Sequence, residues 1–363
     1  MATPEIINFT RGVPANESFP TDELAAAAAL VLQQQSATVL SYGPAAGLAS
    51  LREWIAQWQK VPVERVLTGN GSLELVEFLC TAMIKPGDFV LTEAPSYDRA
   101  LTLFRRHGAD LEGVTLESDG PNIEQLEKIL ARRVPKLFYI IPDFQNPAGA
   151  TCSATKRQRI VALAEKYNFL LLEDAPYRML RYRGSDEPTL YSMAPHRVLH
   201  MSSFTKLIAP GVRAGFMLGE PAVLAKIGKV AEDTYISPGY FAHGVTAEWC
   251  RQGKLPPQIE RLKALYGPRL DACLKAIDTH MPDAVATRPN GGFFISVTLP
   301  AGTSTTALRA AATAHAVNLA DGLAFFPQGG GERFLRLPFC ALSAAQIDEG
   351  VRRVAAAVRD VRR

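Results

Sequence analysis

Lys206 closes the run Ser203-Phe204-Thr205-Lys206, and Ala209-Pro210-Gly211-Val212-Arg213 follows closely. A lysine amine can form an imine with a carbonyl or carry a proton, and an arginine nearby suits an anion. Asp174 opens Asp174-Ala175-Pro176-Tyr177 at the tip of an apolar run over 169–172, where a carboxylate is expensive to bury without a cationic partner. Asn146 lies in Pro142-Asp143-Phe144-Gln145-Asn146-Pro147-Ala148-Gly149, a polar loop stiffened by prolines. Gly69-Asn70-Gly71-Ser72 lets the backbone turn tightly and approach a ligand. The Ser72 hydroxyl and the first N–H groups of a helix from Leu73 suit a phosphate, although a plain N-cap serine reads the same way. Tyr97 ends Glu93-Ala94-Pro95-Ser96-Tyr97 and presents a ring at another helix start, for a planar ligand or for packing.

What must position these residues is an alternation. Between 65 and 220, β-rich runs at 65–68, 88–92, 136–141, 168–173, 198–201 and 215–218 alternate with helical segments. That is the pattern of a mostly parallel sheet covered by helices on both faces. Ligands bind such a sheet beyond the carboxyl ends of its strands. Five consecutive strand ends would bring a hydroxyl, a ring, an amide, an Asp–Tyr pair, a lysine and an arginine into one cleft. From 221 the pattern changes to long helices at 221–251 and 257–280, then strands at 293–299, 323–326 and 334–337. A last helix spans 343–358, with Ser343 and Gln346 at capping-box spacing. The fold class is therefore α/β: a large domain with a mostly parallel sheet over 41–250 and a smaller α+β domain over 251–363. Residues 1–40 are expected to pack with the small domain.

Several other chemistries lack their residues. The 363-residue chain carries 39 Lys+Arg against 36 Asp+Glu, a net charge of only +3, and no block of one sign, which disfavours a broad nucleic-acid surface. No apolar stretch approaches the ~20 residues of a membrane helix. The N-terminus lacks the basic-then-apolar run of a signal peptide, so the expected location is cytoplasmic. Five scattered cysteines (80, 152, 250, 273, 340) show no C-x-x-C, and six histidines form no H-x-x-x-H; neither a disulfide framework nor a metal site is expected. Ser203-Phe204-Thr205-Lys206 matches the S-x-x-K of serine acyl enzymes, but S-D-N, K-T-G and G-x-S-x-G are all missing.

A phosphorylated, planar, cationic-ring ligand that forms an imine with lysine would use the whole set, and pyridoxal phosphate is such a ligand. In order and spacing the chain resembles the fold-type I pyridoxal-phosphate aminotransferases of class I/II. Within them it is most similar to the subgroup of 2-aminoadipate and kynurenine aminotransferases and the aminotransferase-like domain of MocR regulators. The resemblance rests on Ile7-Asn8-Phe9-Thr10-Arg11-Gly12-Val13-Pro14, Leu40-Ser41-Tyr42-Gly43-Pro44 and Phe144-Gln145-Asn146-Pro147-Ala148-Gly149. It extends through Glu173-Asp174-Ala175-Pro176-Tyr177, the Lys206 and Arg213 phrases, Pro289-Asn290-Gly291-Gly292-Phe293-Phe294 and Leu335-Arg336-Leu337. The pattern begins within the first ten residues, so the expectation is an enzyme without a DNA-binding module.

The resemblance implies roles. Lys206 would hold the cofactor as a Schiff base and then move the proton, with a pyridoxamine phosphate form carrying the amino group between substrates. Asp174 would pair with the ring nitrogen, Asn146 and Tyr177 with the ring oxygen, and Tyr97 would stack on the ring. Ser72, backbone N–H groups around Gly71 and Leu73, Ser203 and Arg213 would take the phosphate, joined by Tyr42 from the partner of a homodimer. Arg336 would clamp the α-carboxylate, with Gly12 and Asn146 beside it. Arg11 stands where the subgroup usually has glycine, and is a candidate for reading a distal carboxylate. A lyase, cyclase or oxidase acting on an amino acid would use the same cofactor residues, and is the alternative reading.

Overall fold

The computed structural model describes residues 5–362. Its strands, in chain order, are β1 (Ile7–Phe9), β2 (Val66–Gly69), β3 (Phe89–Ala94), β4 (Asp110–Glu117), β5 (Gly120–Pro121), β6 (Leu137–Ile140) and β7 (Leu170–Asp174). They continue as β8 (Val198–Ser203), β9 (Gly215–Leu218), β10 (Val285–Ala286), β11 (Phe294–Thr298), β12 (Val317–Leu319) and β13 (Phe334–Pro338). One sheet takes eight of them in the order β2-β9-β8-β7-β6-β3-β4-β5. The run from β8 through β7, β6 and β3 to β4 is parallel. β9 is antiparallel to both of its neighbours, and β5 to β4.

Apolar residues on both faces explain why the sheet is covered twice. Along β6, Leu137 and Tyr139 join a core with the helices Ser72–Met83, Asp98–Arg106 and Pro221–Tyr235. Phe138 and Ile140 join the opposite core, with Ala49–Gln59, Ile123–Arg132, Ala154–Tyr167 and Tyr240–Arg251. A strand buried on both sides reads as a continuous apolar run, which is how it looks in the sequence. After β3 the chain places β4 on one side and then β6 on the other. That reversal opens a crevice at the carboxyl edge.

A second core gathers Ile7, Phe9, the end of the helix Leu255–His280, β11, β13 and the helix Ala344–Val361. β1 pairs in parallel with β12, Ile7 opposite Val317. The helix Leu255–His280 buries Leu255, Leu262 and Tyr266 in the first core and Leu270, Cys273 and Ile277 in the second, so one rigid element joins the two. The expectation that all of 1–40 packs with the small domain needs division, with residues 1–4 outside the described residues. β1 does, but the helix Thr21–Val39 lies against Tyr240–Arg251, with Ala27 in the larger core.

Other elements differ for local reasons. The expected helix 221–251 is two, Pro221–Tyr235 and Tyr240–Arg251, broken where Ile236 takes φ +70° and Pro238 cannot donate a backbone bond. Residues 322–325 form a 3-10 turn rather than a strand, because the Asp321 carboxylate accepts from the Leu323 N–H and caps it. β4 escaped the sequence reading because acids stand at 110, 112 and 117 and only Leu111 and Val114 are buried. The capping box at Ser343 and Gln346 is present. Gly292 has φ +73°, and a Cβ there would stand 2.4 Å from the Phe144 Cβ. The Pro-Asn-Gly-Gly turn thus docks directly on the loop carrying Asn146. Among the described residues no helix is long and apolar enough to cross a membrane.

Candidate active site

A cleft of about 210 Å³ opens at the carboxyl edge of the sheet, bordered by Gly71, Ser72, Leu73, Tyr97, Asn146, Asp174, Tyr177, Ser203, Lys206 and Arg213. The antiparallel course of β9 explains Arg213. Gly215, the first residue of β9, pairs with Gly69 and Ser203, the last residues of β2 and β8, so the segment before it reaches the same edge.

One end of the cleft favours an anion. Gly71 caps the helix Ser72–Met83 at φ +98°, with no side chain bonded to the first-turn N–H groups. Those groups and the positive end of the helix dipole border the cleft. A Cβ on Gly71 would stand 2.6 Å from Arg213 Nη2, so glycine leaves room for the guanidinium. Arg213 Nη2 donates to the Asn70 carbonyl at 2.5 Å. The Ser203 hydroxyl donates to Thr205 Oγ1 at 2.8 Å, which adds a second hydroxyl at this end.

At the floor Asp174 is buried, and the Tyr139 hydroxyl donates to its Oδ2 at 2.7 Å. Its Oδ1 is equally buried and has no hydrogen-bond partner. Burial raises this carboxyl to about 6, against the Tyr139 hydrogen bond and the charges of His200 and Lys206. An unpaired carboxylate oxygen beside a cleft is a place for a cationic N–H of a ligand.

Lys206 stands at the wall. Its Nζ donates to the Gly12 carbonyl at 2.9 Å and lies 5.8 Å from the Tyr177 ring and 5.7 Å from that of Phe293. Burial, with the nearby Arg336 charge, lowers the amine to about 8, while the charge of Asp174 acts to raise it. A second cleft of about 430 Å³ continues outward and shares Leu73, Tyr97, Asn146, Tyr177 and Lys206 with the first. On its wall Arg336 is buried, donating from Nη1 to Asn146 Oδ1 at 2.9 Å and from Nη2 to the Thr10 carbonyl at 2.6 Å. Its guanidinium carbon lies 4.9 Å from the Phe294 ring centre and 4.6 Å from that of Phe325. The buried Nε has no partner.

Residues 4–354 match the family model for aminotransferase class I and II. The chain belongs to the class I and II aminotransferases. This aminotransferase is 34% identical to the 2-aminoadipate transaminase of Thermus thermophilus, over 98% of its own length and 91% of that protein. It is 32% identical to aromatic-amino-acid aminotransferase 1 of Thermococcus litoralis, over 99% and 89%. The crystal structure of the α-aminoadipate aminotransferase of Thermus thermophilus, complexed with N-(5'-phosphopyridoxyl)-L-leucine, superposes with a TM-score of 0.95 at 33% identity, covering 98% of this chain and 92% of that one.

In this aminotransferase every candidate cofactor residue except Tyr42 borders the inner cleft. Tyr42 is 80% exposed and borders neither cleft of its own chain. Gly12, Arg11, Asn146 and Arg336 meet in the outer cleft. Arg181, Tyr182 and Arg183 do not reach either; Arg181 pairs with Asp186, Tyr182 donates to the Gly292 carbonyl and Arg183 pairs with Asp271. The sequence reading missed Tyr139, which looks like core inside an apolar strand, and Thr205, which sits within a motif already noted. It also missed Glu93, a buried carboxyl that accepts from the Ile141 N–H and Gln145 Nε2, both at 3.0 Å, and so ties the Asn146 loop to β3. The only sequence signal was its place at a strand end.

Proposed function

We propose that the enzyme uses pyridoxal phosphate, held at Lys206, to move the α-amino group of an L-amino acid to a 2-oxo acid. The observation that carries this reading is the unpaired, buried Oδ1 of Asp174, in the same cleft as an anion cradle and a lysine. A phosphate fits the cradle, a protonated ring nitrogen fits Asp174, and an aldehyde fits Lys206. When bound, the cofactor supplies the carbonyl for the amine and a ring that accepts electrons from the substrate Cα.

The chain's own residues do the rest. Lys206 Nζ, lowered to about 8, has a usable fraction of free amine near neutral pH and moves the proton at the substrate Cα. Arg336 receives the α-carboxylate on a planar fork already packed against two rings, and Asn146 fixes that fork. Tyr97 and Tyr177 border the space a planar ring would fill.

The same proposal includes a homodimer. Tyr42 and Leu40 are exposed, as are Ile236 and Phe241. The Tyr42 loop is tied to the cradle: the Tyr240 hydroxyl donates to the Pro44 carbonyl, and the Gly239 N–H donates to the side chain of Asn70, whose carbonyl holds Arg213. A two-fold contact through this face would bring Tyr42 to the partner's phosphate. A cytoplasmic location fits five free, buried thiols.

The test is a half-reaction. The yellow, cofactor-loaded protein should lose its colour with an amino acid and regain it with a 2-oxo acid. Ammonia release without that recovery would assign a lyase, cyclase or oxidase instead.

A further inference from the structure

The outer cleft is bordered by two acids, Asp98 and Asp321, and four cations, Arg11, Arg99, Lys206 and Arg336. Arg99 lies 3.8 Å from Asp98, and Asp321 lies 3.3 Å from Arg309. Each acid bordering the cleft therefore already has a cation. Of the remaining cations, Lys206 and Arg336 are assigned by the amino-transfer reading to the cofactor and to the α-carboxylate. Arg11 is left, bordering the same cleft with no ion pair or hydrogen bond among the described residues. It is also placed by its neighbours. The Thr10 carbonyl accepts from Arg336 and the Gly12 carbonyl from Lys206, so Arg11 sits between two residues in direct contact with both working groups.

We infer that Arg11 is a specificity-determining residue that binds a second, distal carboxylate, which makes dicarboxylic amino acids and oxo acids the preferred substrates. This rests on the amino-transfer reading for its substrate orientation. With the α-carboxylate on Arg336 and the α-amine toward Lys206, the side chain extends into the rest of the outer cleft. Its walls there include Ala320, Ala324 and Phe325, and its uncompensated charge is Arg11. A planar, always-charged guanidinium can fork onto a carboxylate there. Arg11 is exposed, so solvent screens the contact and the preference is moderate rather than absolute.

The experiment compares matched substrates on the cofactor-loaded enzyme, glutamate with glutamine and 2-aminoadipate with norleucine. Arg11→Ala should lower the ratio of kcat/KM, acidic over neutral, roughly tenfold in both pairs. Arg11→Lys should recover most of it. Calorimetry with glutarate and valerate, which cannot transfer an amino group, supplies an independent measure: Arg11→Ala should weaken glutarate roughly tenfold more than valerate. Ratios and relative affinities within twofold of wild type would overturn the inference. If the wild type transfers from no amino acid at all, the amino-transfer reading falls, and the glutarate comparison still judges Arg11.

Discussion

The Tyr139 hydroxyl donates to one oxygen of Asp174 at 2.7 Å, while the other oxygen, equally buried, meets no donor. The first contact steadies the carboxylate; the second leaves it an acceptor for whatever enters the cleft. Tyr139→Phe removes a bond that holds the Asp174 carboxyl down, so this group should titrate above its present value of about 6. The acid limb of the kcat/KM profile should then move to higher pH by up to about one unit. Asp174→Asn should cost on the order of 100- to 1,000-fold in kcat, as loss of a preorganised charge does. An acid limb that stays in place in Tyr139→Phe would disconnect this pair from turnover.

Arg336 packs against Phe294 and Phe325 and is anchored by Asn146 and Thr10. Lysine keeps the charge but loses the fork. Arg336→Lys should raise KM for the amino donor roughly 10- to 100-fold while lowering kcat much less. A KM close to wild type would remove the carboxylate from this arginine.

Glu93 is buried with no ion pair among the described residues, and burial pushes its carboxyl from the usual 4.5 up to about 8, against the more distant charge of Arg157. In the folded protein it keeps a proton that the unfolded chain releases at lower pH. Its contribution to stability is therefore full below about 4.5 and is lost as pH rises toward 8. Glu93→Gln preserves a neutral acceptor for Ile141 and Gln145 and should flatten the fall of Tm between those pH values. An unaltered slope would place that pH dependence in other groups.

Much of this was legible in the sequence. Parallel strands buried on both faces, such as 137–140, announce themselves as apolar runs, and the residues after them fall at one edge by topology alone. Asp174, Lys206 and Arg213 could be placed in one cleft for that reason. Tyr139 could not, because a hydroxyl aimed along a strand at a neighbour's carboxylate leaves no mark that separates it from core. The pairing of Arg336 with Asn146 joins positions 190 residues apart and depends on the Gly292 turn closing on Phe144. Nor was the split of 221–251 visible in apolar periodicity, since the second half is buried all round over 243–250 and only Ser237-Pro238-Gly239 marks the break.

Lys206 is the residue that should carry the cofactor. Protein saturated with pyridoxal phosphate, reduced with borohydride and digested, should carry the phosphopyridoxyl mass on the peptide containing Lys206. Lys206→Ala should carry none and should transfer no amino groups. A label on another lysine, or turnover surviving in Lys206→Ala, would contradict the account.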